Sequence, residues 1–144
     1  MRKPASVHTR EANIAVAAQL PLADPSDDDR NTRGHLVQED SLVLTNKQTG
    51  RVVWDMDKFR FIRGDAPYTV NPSLWRQGRL NALHGLFEVA DGVWQARGYD
   101  ISNITFIAGD TGWLIIDPLT SEACAKACLD LANAELGERP VVGI

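Results

Sequence analysis

The sequence lacks any cluster of the side chains that commonly carry out catalysis or bind metal ions. Its three histidines, His8, His35 and His84, are far apart, and none lies in an HxH or HExxH pattern. A GxSxG nucleophile motif, a Walker loop and a GxGxxG fingerprint are also missing. We therefore expect no catalytic residue and no metal ligand in this chain.

Cysteine is scarce as well. The chain has two, Cys124 and Cys128, four positions apart in a segment with helical periodicity. A structural zinc site needs four ligands, usually with CxxC-type spacing, and a disulfide does not fit within one helical turn. The spacing favours two small, buried apolar side chains.

Long apolar runs and basic clusters are absent too. No run approaches the roughly 20 apolar residues that cross a bilayer, so we expect no membrane span. The charged start, residues 1–4, is followed by no apolar stretch, which predicts no secretory signal and a cytoplasmic location for the sequence as given. The net charge of −4 gives no basic face for nucleic acid.

Residues 1–64 predict a peripheral arm with short helices and a small hairpin. An Ala-rich helix is expected from Thr9 to Leu20, and the strands of the hairpin are expected at 41–46 and 51–54. The acidic run 24–30 lacks the ligand order of an EF-hand. It favours a solvated loop or a helix start.

Residues 65–144 predict an α/β arrangement of a helix, two hairpins and a βαβ unit. The expected elements begin with a helix from Pro72 to about Leu83, capped by Asn71 and closed by Gly85. Strands follow at 86–90 and 93–97, around a type I′ turn at Asp91-Gly92, and at 103–108 and 113–116. The last elements are a helix that Thr120 or Ser121 caps and Gly137 closes, and a strand from Val141; the helix is expected to bury Cys124, Ala127, Cys128, Leu131 and Ala134. Strand 113–116 is apolar throughout, which is typical of a strand covered on both faces.

Asp117 is the one candidate for a site that the residues themselves suggest. It ends the apolar strand, at the edge where open α/β sheets place their binding crevices. An Asp before a Pro is also a good turn residue, and both explanations remain open. The nearby run 109–112 joins two strands and opens no helix, so it does not predict a phosphate loop.

The run from Asn71 to Ile144 resembles the start of the catalytic domain of bacterial alkylsulfatases of the metallo-β-lactamase superfamily. The segments GYDISN at 98–103 and GDTGWLIIDP at 109–118 carry the resemblance most specifically. It is strong over 65–144 and weaker over 10–64. It implies the first part of an αββα sandwich, preceded by the peripheral arm.

The resemblance implies a parent enzyme that hydrolyses sulfate esters of alkyl alcohols with two zinc ions and works as a homodimer. The family's HxHxDH motif would follow the strand that starts at Val141, after Ile144. We therefore expect this chain to lack the zinc ligands and to be inactive alone. Some members of such families are periplasmic or secreted, which leaves the compartment of the parent open.

Five residues can be matched to roles in that family. Asp117 matches the Asp at a strand end that holds the metal-binding loop by hydrogen bonds. Tyr99, Asp100, Ser102 and Asn103 lie in a turn that resembles the border of the substrate pocket. A plain connection between strands accounts for those four residues as well.

Two other functions compete with an alkylsulfatase. A glyoxalase II-like hydrolase of the same superfamily predicts the same half-fold, but not the long arm or the GYDISN run. A non-catalytic dimerisation or interaction module would use the arm and an exposed sheet edge.

Overall fold

The computed structural model describes residues 3–144, which form a six-stranded sheet with one long helix against one face. The helices and strands are α1 (Val7–Gln19), α2 (Ser26–Thr32), β1 (His35–Val37), β2 (Val43–Thr45), β3 (Val52–Asp55), α3 (Pro72–Asn81), β4 (Gly85–Ala90), β5 (Val93–Arg97), β6 (Ile104–Ala108), β7 (Trp113–Ile116), α4 (Glu122–Leu136) and β8 (Val141–Gly143), with a 3-10 turn at Asp57–Phe59. The mixed α/β class expected from the sequence is confirmed.

The strand order of the main sheet is β1-β4-β5-β6-β7-β8. Neighbouring strands are antiparallel except β7 and β8, which run parallel on either side of the crossover through α4. This is the βαβ unit that the sequence predicts. The predicted hairpin is also confirmed, as the separate pair β2 and β3, and it contacts α4.

The core lies between the sheet and α4. Trp113 is fully buried; it meets the rings of Trp94 and Phe106 edge-on, and its indole N–H donates to Asn133 of α4 at 2.8 Å. Cys128 is buried beside them as a free thiol, as the sequence predicts. Aromatic packing and this hydrogen bond join β7 to α4, the two elements that the loop 117–121 connects.

The opposite face of β7 is open. Leu114 and Ile116 are 44% and 56% exposed, because they alternate with the buried Trp113 and Ile115. Within residues 3–144, β7 is therefore covered on one face only. A run of four apolar residues does not reveal which of its two sides has a partner.

The arm packs against α3 through polar contacts. Arg76 of α3 donates to the carboxylate of Asp27 at 2.7 Å and to the backbone oxygen of Asp24 at 2.9 Å. Asn31 donates to the backbone oxygen of Leu80 at 2.9 Å. The acidic run thus forms the start of α2 and an ion pair with α3, and β1 of the same region joins the main sheet beside β4.

Three local predictions are corrected. Helix α3 ends at Asn81, and Gly85 begins β4 with φ of 130° instead of capping the helix. The turn after β4 has a positive φ at Gly92 but not at Asp91, so it is not type I′, which needs both. Helix α4 buries Ala132, which follows the expected Leu131, and leaves the expected Ala134 exposed.

Candidate functional site

The candidate site lies at the edge of the sheet where β5 ends, β6 begins and β7 ends. The antiparallel pairing of Ala96 with Ile104 and of Thr105 with Ile116 brings the loops 98–103 and 117–121 to this one edge. The first loop contains the GYDISN run, and the second contains Asp117. The pairing explains why two segments that are far apart in sequence share one edge.

Asp100 ties these two loops together. Its side chain is 8% exposed. One carboxylate oxygen accepts hydrogen bonds from the backbone N–H and the hydroxyl of Thr120, at 2.7 and 2.6 Å, and the other accepts from the N–H of Ile101 at 2.7 Å. Burial alone raises the pKa of Asp100, but the hydrogen bonds from Thr120 and Ile101 outweigh burial, so the net pKa lies below its ordinary value.

The turn that follows β7 has a strained backbone. Asp117 has φ of 56° and Leu119 has φ of 70°, and Pro118 lies between them. Non-glycine residues in this region cost on the order of 1–3 kcal/mol each and occur where the surroundings hold them. Asp117 is exposed, and its carboxylate has no hydrogen bond to any other residue within 3–144. The turn therefore presents a free carboxylate at the sheet edge.

Tyr99 belongs to the loop 98–103, and its buried side chain anchors the loop to the rest of the fold. Its ring is 1% exposed and packs edge-on against His84, with ring centroids 6.5 Å apart. Its hydroxyl donates to the carboxylate of Glu39 at 2.5 Å. Burial raises the pKa of Tyr99 well above its ordinary value, and the bond to Glu39 adds to that shift. Tyr99 is therefore a neutral phenol that anchors the loop to the segment after β1.

A cavity of about 630 Å³ opens beside this loop. Asp100 and Asn103 line it together with Gln95, Arg97 and Trp54, whereas Tyr99 and Ser102 do not. Arg97 lies 4.3 Å above the ring of Phe87 and donates to Gln95 at 2.8 Å. Burial lowers the pKa of Arg97. The cavity combines these hydrogen-bonding groups with the aromatic side chains of Trp54 and Phe59, as ligand pockets commonly do.

Trp54 and Gly98 fix the start of the loop. The indole N–H of Trp54 donates to the backbone oxygen of Gly98 at 2.6 Å, which ties β3 to the sheet edge. Gly98 has φ of 81°, and a Cβ there would lie 2.5 Å from the Cβ of His84. Sequence reasoning missed Trp54, Arg97 and Thr120 as parts of this edge. Two features of the sequence pointed to it: Asp117 at the end of the apolar strand, and GYDISN, recognised as a family segment.

The residues of the candidate edge do not form a metal site. Within residues 3–144 there is no group of three or more His, Cys, Asp and Glu side chains that could hold a metal ion. Across the same residues, none of the helices has the length and apolarity needed to span a bilayer.

No model of a known protein family matches the chain. Single proteins match it closely. It is 42% identical over 99% of its length to a linear primary-alkylsulfatase from a Pseudomonas species. It is 43% identical over 99% to an (R)-specific secondary-alkylsulfatase from Pseudomonas, and 41% identical over 92% to an alkyl/aryl-sulfatase from Saccharomyces cerevisiae.

The matching region is the N-terminal part of these relatives, and the chain spans 21% of their length. Among solved structures, the stereoselective inverting sec-alkylsulfatase Pisa1 from a Pseudomonas species is similar with a TM-score of 0.89 and 42% identity. That match covers 97% of this chain and 22% of the other. A double mutant of the same enzyme gives a TM-score of 0.90.

Proposed function

We propose that this chain is the N-terminal portion of an alkylsulfatase, an enzyme that hydrolyses sulfate esters of alkyl alcohols. The observation that carries the proposal is the identity of 41–43% to three alkylsulfatases over nearly the whole chain. A glyoxalase II-like hydrolase accounts for the strands of the second half, but not for identity that extends through the first 64 residues. The proposal therefore favours sulfate esters over thioesters.

The proposal includes the layering of the metallo-β-lactamase αββα sandwich. Helix α4 covers one face of the sheet, and the other face presents Leu114, Ile116 and Val142 in a half-exposed state. A second sheet packed on that face would bury these side chains, at roughly 25 cal/mol per Å² of apolar surface removed from water. Within residues 1–64, helices α1 and α2 would remain at the periphery beside α3, while β1 belongs to the main sheet.

The resemblance also implies two zinc ions and a homodimer in the whole enzyme. Zinc would supply an activated water as the nucleophile. The described residues do not fit a zinc site, because no cluster of ligands is present among residues 3–144. We therefore assign structural and positioning roles to residues of this chain, and no step of the reaction at the metal.

We assign to Asp117 the role of holding a neighbouring loop of the catalytic domain. Its carboxylate is exposed, lies at the end of β7 and has no partner within residues 3–144. A carboxylate in such a position accepts hydrogen bonds from groups that bind a metal and fixes their orientation. Asp100, Asn103 and Arg97 border a cavity beside the loop 98–103, and we propose that this cavity forms part of the substrate pocket.

A chimera tests the proposal directly. This chain replaces the matching N-terminal segment of the Pseudomonas linear primary-alkylsulfatase, and sulfate release from dodecyl sulfate is measured. We expect the chimera to hydrolyse the ester and the 144-residue chain alone to release no sulfate. The control is the same enzyme with the segment deleted. A chimera that folds, as judged by circular dichroism, yet releases no sulfate contradicts the proposal.

A further inference from the structure

We propose that Asp100 is a positioning residue that fixes the backbone of the turn from Asp117 to Thr120 and so sets the direction of the Asp117 side chain. Asp100 has no place of its own in the proposed function beyond bordering the cavity. The inference rests on that function, since the direction of Asp117 matters only in an assembled sulfatase site.

The turn needs an external support. Asp117 and Leu119 both lie in the left-handed region, with φ of 56° and 70°. Asp tolerates this region moderately well, but Leu rarely adopts it. The residue before a proline is further restricted towards extended conformations. Left to itself, the segment 117–119 would relax, and the Asp117 carboxylate would point elsewhere.

Asp100 provides that support at the far end of the turn. At the near end, Ile116 is held by its pairing with Thr105 in the sheet. At the far end, Thr120 donates both its N–H and its hydroxyl to one oxygen of Asp100. With both ends fixed, the three residues between them have few backbone conformations left.

The support is itself immobile. The second oxygen of Asp100 accepts from Ile101, so the carboxylate cannot rotate away from Thr120 without losing three hydrogen bonds. The loop that bears it is anchored by the bond from Trp54 to Gly98 and by the buried ring of Tyr99. A plain connection between strands needs no buried carboxylate, because burying one is costly unless it is fully hydrogen-bonded.

A double-mutant cycle in the chimera separates positioning from simple stability. The variants are Asp100→Asn, Asp117→Ala and the two combined, with kcat and KM measured on dodecyl sulfate. Asn keeps the size of Asp but removes the charge and places an NH₂ group against a donor. We expect Asp100→Asn to lower kcat about 10-fold, the usual scale for lost partners around a metal site. In the Asp117→Ala background, Asp100→Asn should lower kcat by a far smaller factor, because the effects of residues that act as a unit are not additive.

Two control variants accompany the cycle. Asp110→Asn removes an exposed carboxylate from the turn between β6 and β7 and should leave kcat unchanged. Thr120→Val removes the hydroxyl bond but keeps the N–H bond to Asp100, and its loss in kcat should be intermediate. If the effects of Asp100→Asn and Asp117→Ala on kcat simply multiply, Asp100 does not act through Asp117, and the inference is overturned while the proposed function stands.

The inference is also tested without any activity. In the 144-residue chain, the three-bond HN–Hα couplings of Asp117 and Leu119 report their φ angles. We expect both couplings, and the hydrogen exchange of the Thr120 amide, to change in Asp100→Asn and not in Asp110→Asn. Unchanged couplings would overturn the inference even if the chimera is active. An inactive chimera with changed couplings counts against the proposed function alone.

Discussion

At the scale of single residues, Gly98 and Gly50 form a matched pair. Both have a positive φ, 81° and 67°, but a Cβ at Gly98 would lie 2.5 Å from that of His84, whereas Gly50 faces open space. We expect Gly50→Ala to cost about 1 kcal/mol for the backbone alone, because an L-residue is disfavoured in the left-handed region. Gly98→Ala should cost about 2–4 kcal/mol, because overpacking adds to that amount. Urea denaturation measures both, and equal values would contradict the clash.

The stability contributed by Asp100 should depend on pH. Its folded-state pKa lies below the ordinary value of 3.8, since the hydrogen bonds to the ionised form outweigh the effect of burial. Ionised Asp100 therefore stabilises the fold fully above about pH 4, and this contribution is lost as the pH falls through the folded-state pKa. Asp100→Asn should lower the free energy of unfolding by about 1–3 kcal/mol at pH 7.

The pH series needs the wild-type chain, Asp100→Asn and the exposed control Asp110→Asn. The difference in unfolding free energy between wild type and Asp100→Asn should shrink as the pH is lowered below 4, because the protonated acid then resembles the amide. A difference that stays constant from pH 7 to pH 3 would show that the charge of Asp100 does not contribute.

Residues whose role depends on near neighbours in the sequence could be predicted. Asn71 caps α3 as expected, and Ser121 is the one of the two candidates, Thr120 and Ser121, that caps α4. Such roles can be predicted because a cap bonds to N–H groups two or three positions ahead. Thr120 and Trp54 could not be predicted, because their partners lie 20 and 44 residues away. Asp100 was singled out by family resemblance, but its bond to Thr120 needed the fold.

At the scale of elements, the two ion pairs between α2 and α3 differ in how far the arginine side chain is exposed. Arg76 pairs with Asp27 and has a side chain that is 17% exposed, while Arg79 pairs with Asp28 and is 44% exposed. The hydrogen bond to Arg76 is the largest cause that lowers the pKa of Asp27. Exposed pairs contribute little, so Arg76 should hold the arm and Arg79 should not.

Limited proteolysis checks this expectation. Arg76→Gln should speed cleavage between residues 7 and 34, since the loss of Arg76 also frees the Asp24 backbone oxygen. Arg79→Gln should leave the cleavage rate close to that of the wild-type chain. Equal acceleration by both substitutions would mean that the arm is held by charge alone and not by the geometry at Arg76.

The elements of the second half were easier to predict than those of the first. Strands β4 to β7 and helix α4 have a clear hydrophobic periodicity. Short connections join the four strands one after another. Strand β1 has three residues and no pattern of its own; it exists because β4 offers an open edge. The apolar run of β7 does not by itself show which face is covered, for the related reason that covering a face requires a partner from elsewhere in the molecule.

At the scale of the whole molecule, the sheet is covered on one face and open on the other. Leu114, Ile116 and Val142 are 44%, 56% and 51% exposed near the β8 edge of the sheet. Edge strands with free N–H and C=O groups pair readily with another chain, and a contiguous apolar patch adds attraction. We therefore expect the 144-residue chain to self-associate through this face as its concentration rises.

Lysine at Ile116 should suppress that association, because a charge at the centre of the patch must be desolvated in any face-to-face contact. The matched control is Val89→Lys in β4, which is 54% exposed and separated from β7 by the two strands β5 and β6. Light scattering across a concentration series should show Ile116→Lys closer to a monomer, with Val89→Lys unchanged from the wild-type chain. If both variants behave as the wild type does, another surface drives the association.

In the chimera the same face would be internal under the proposed layering, so there Ile116→Lys should reduce folding and sulfate release while Val89→Lys leaves both intact.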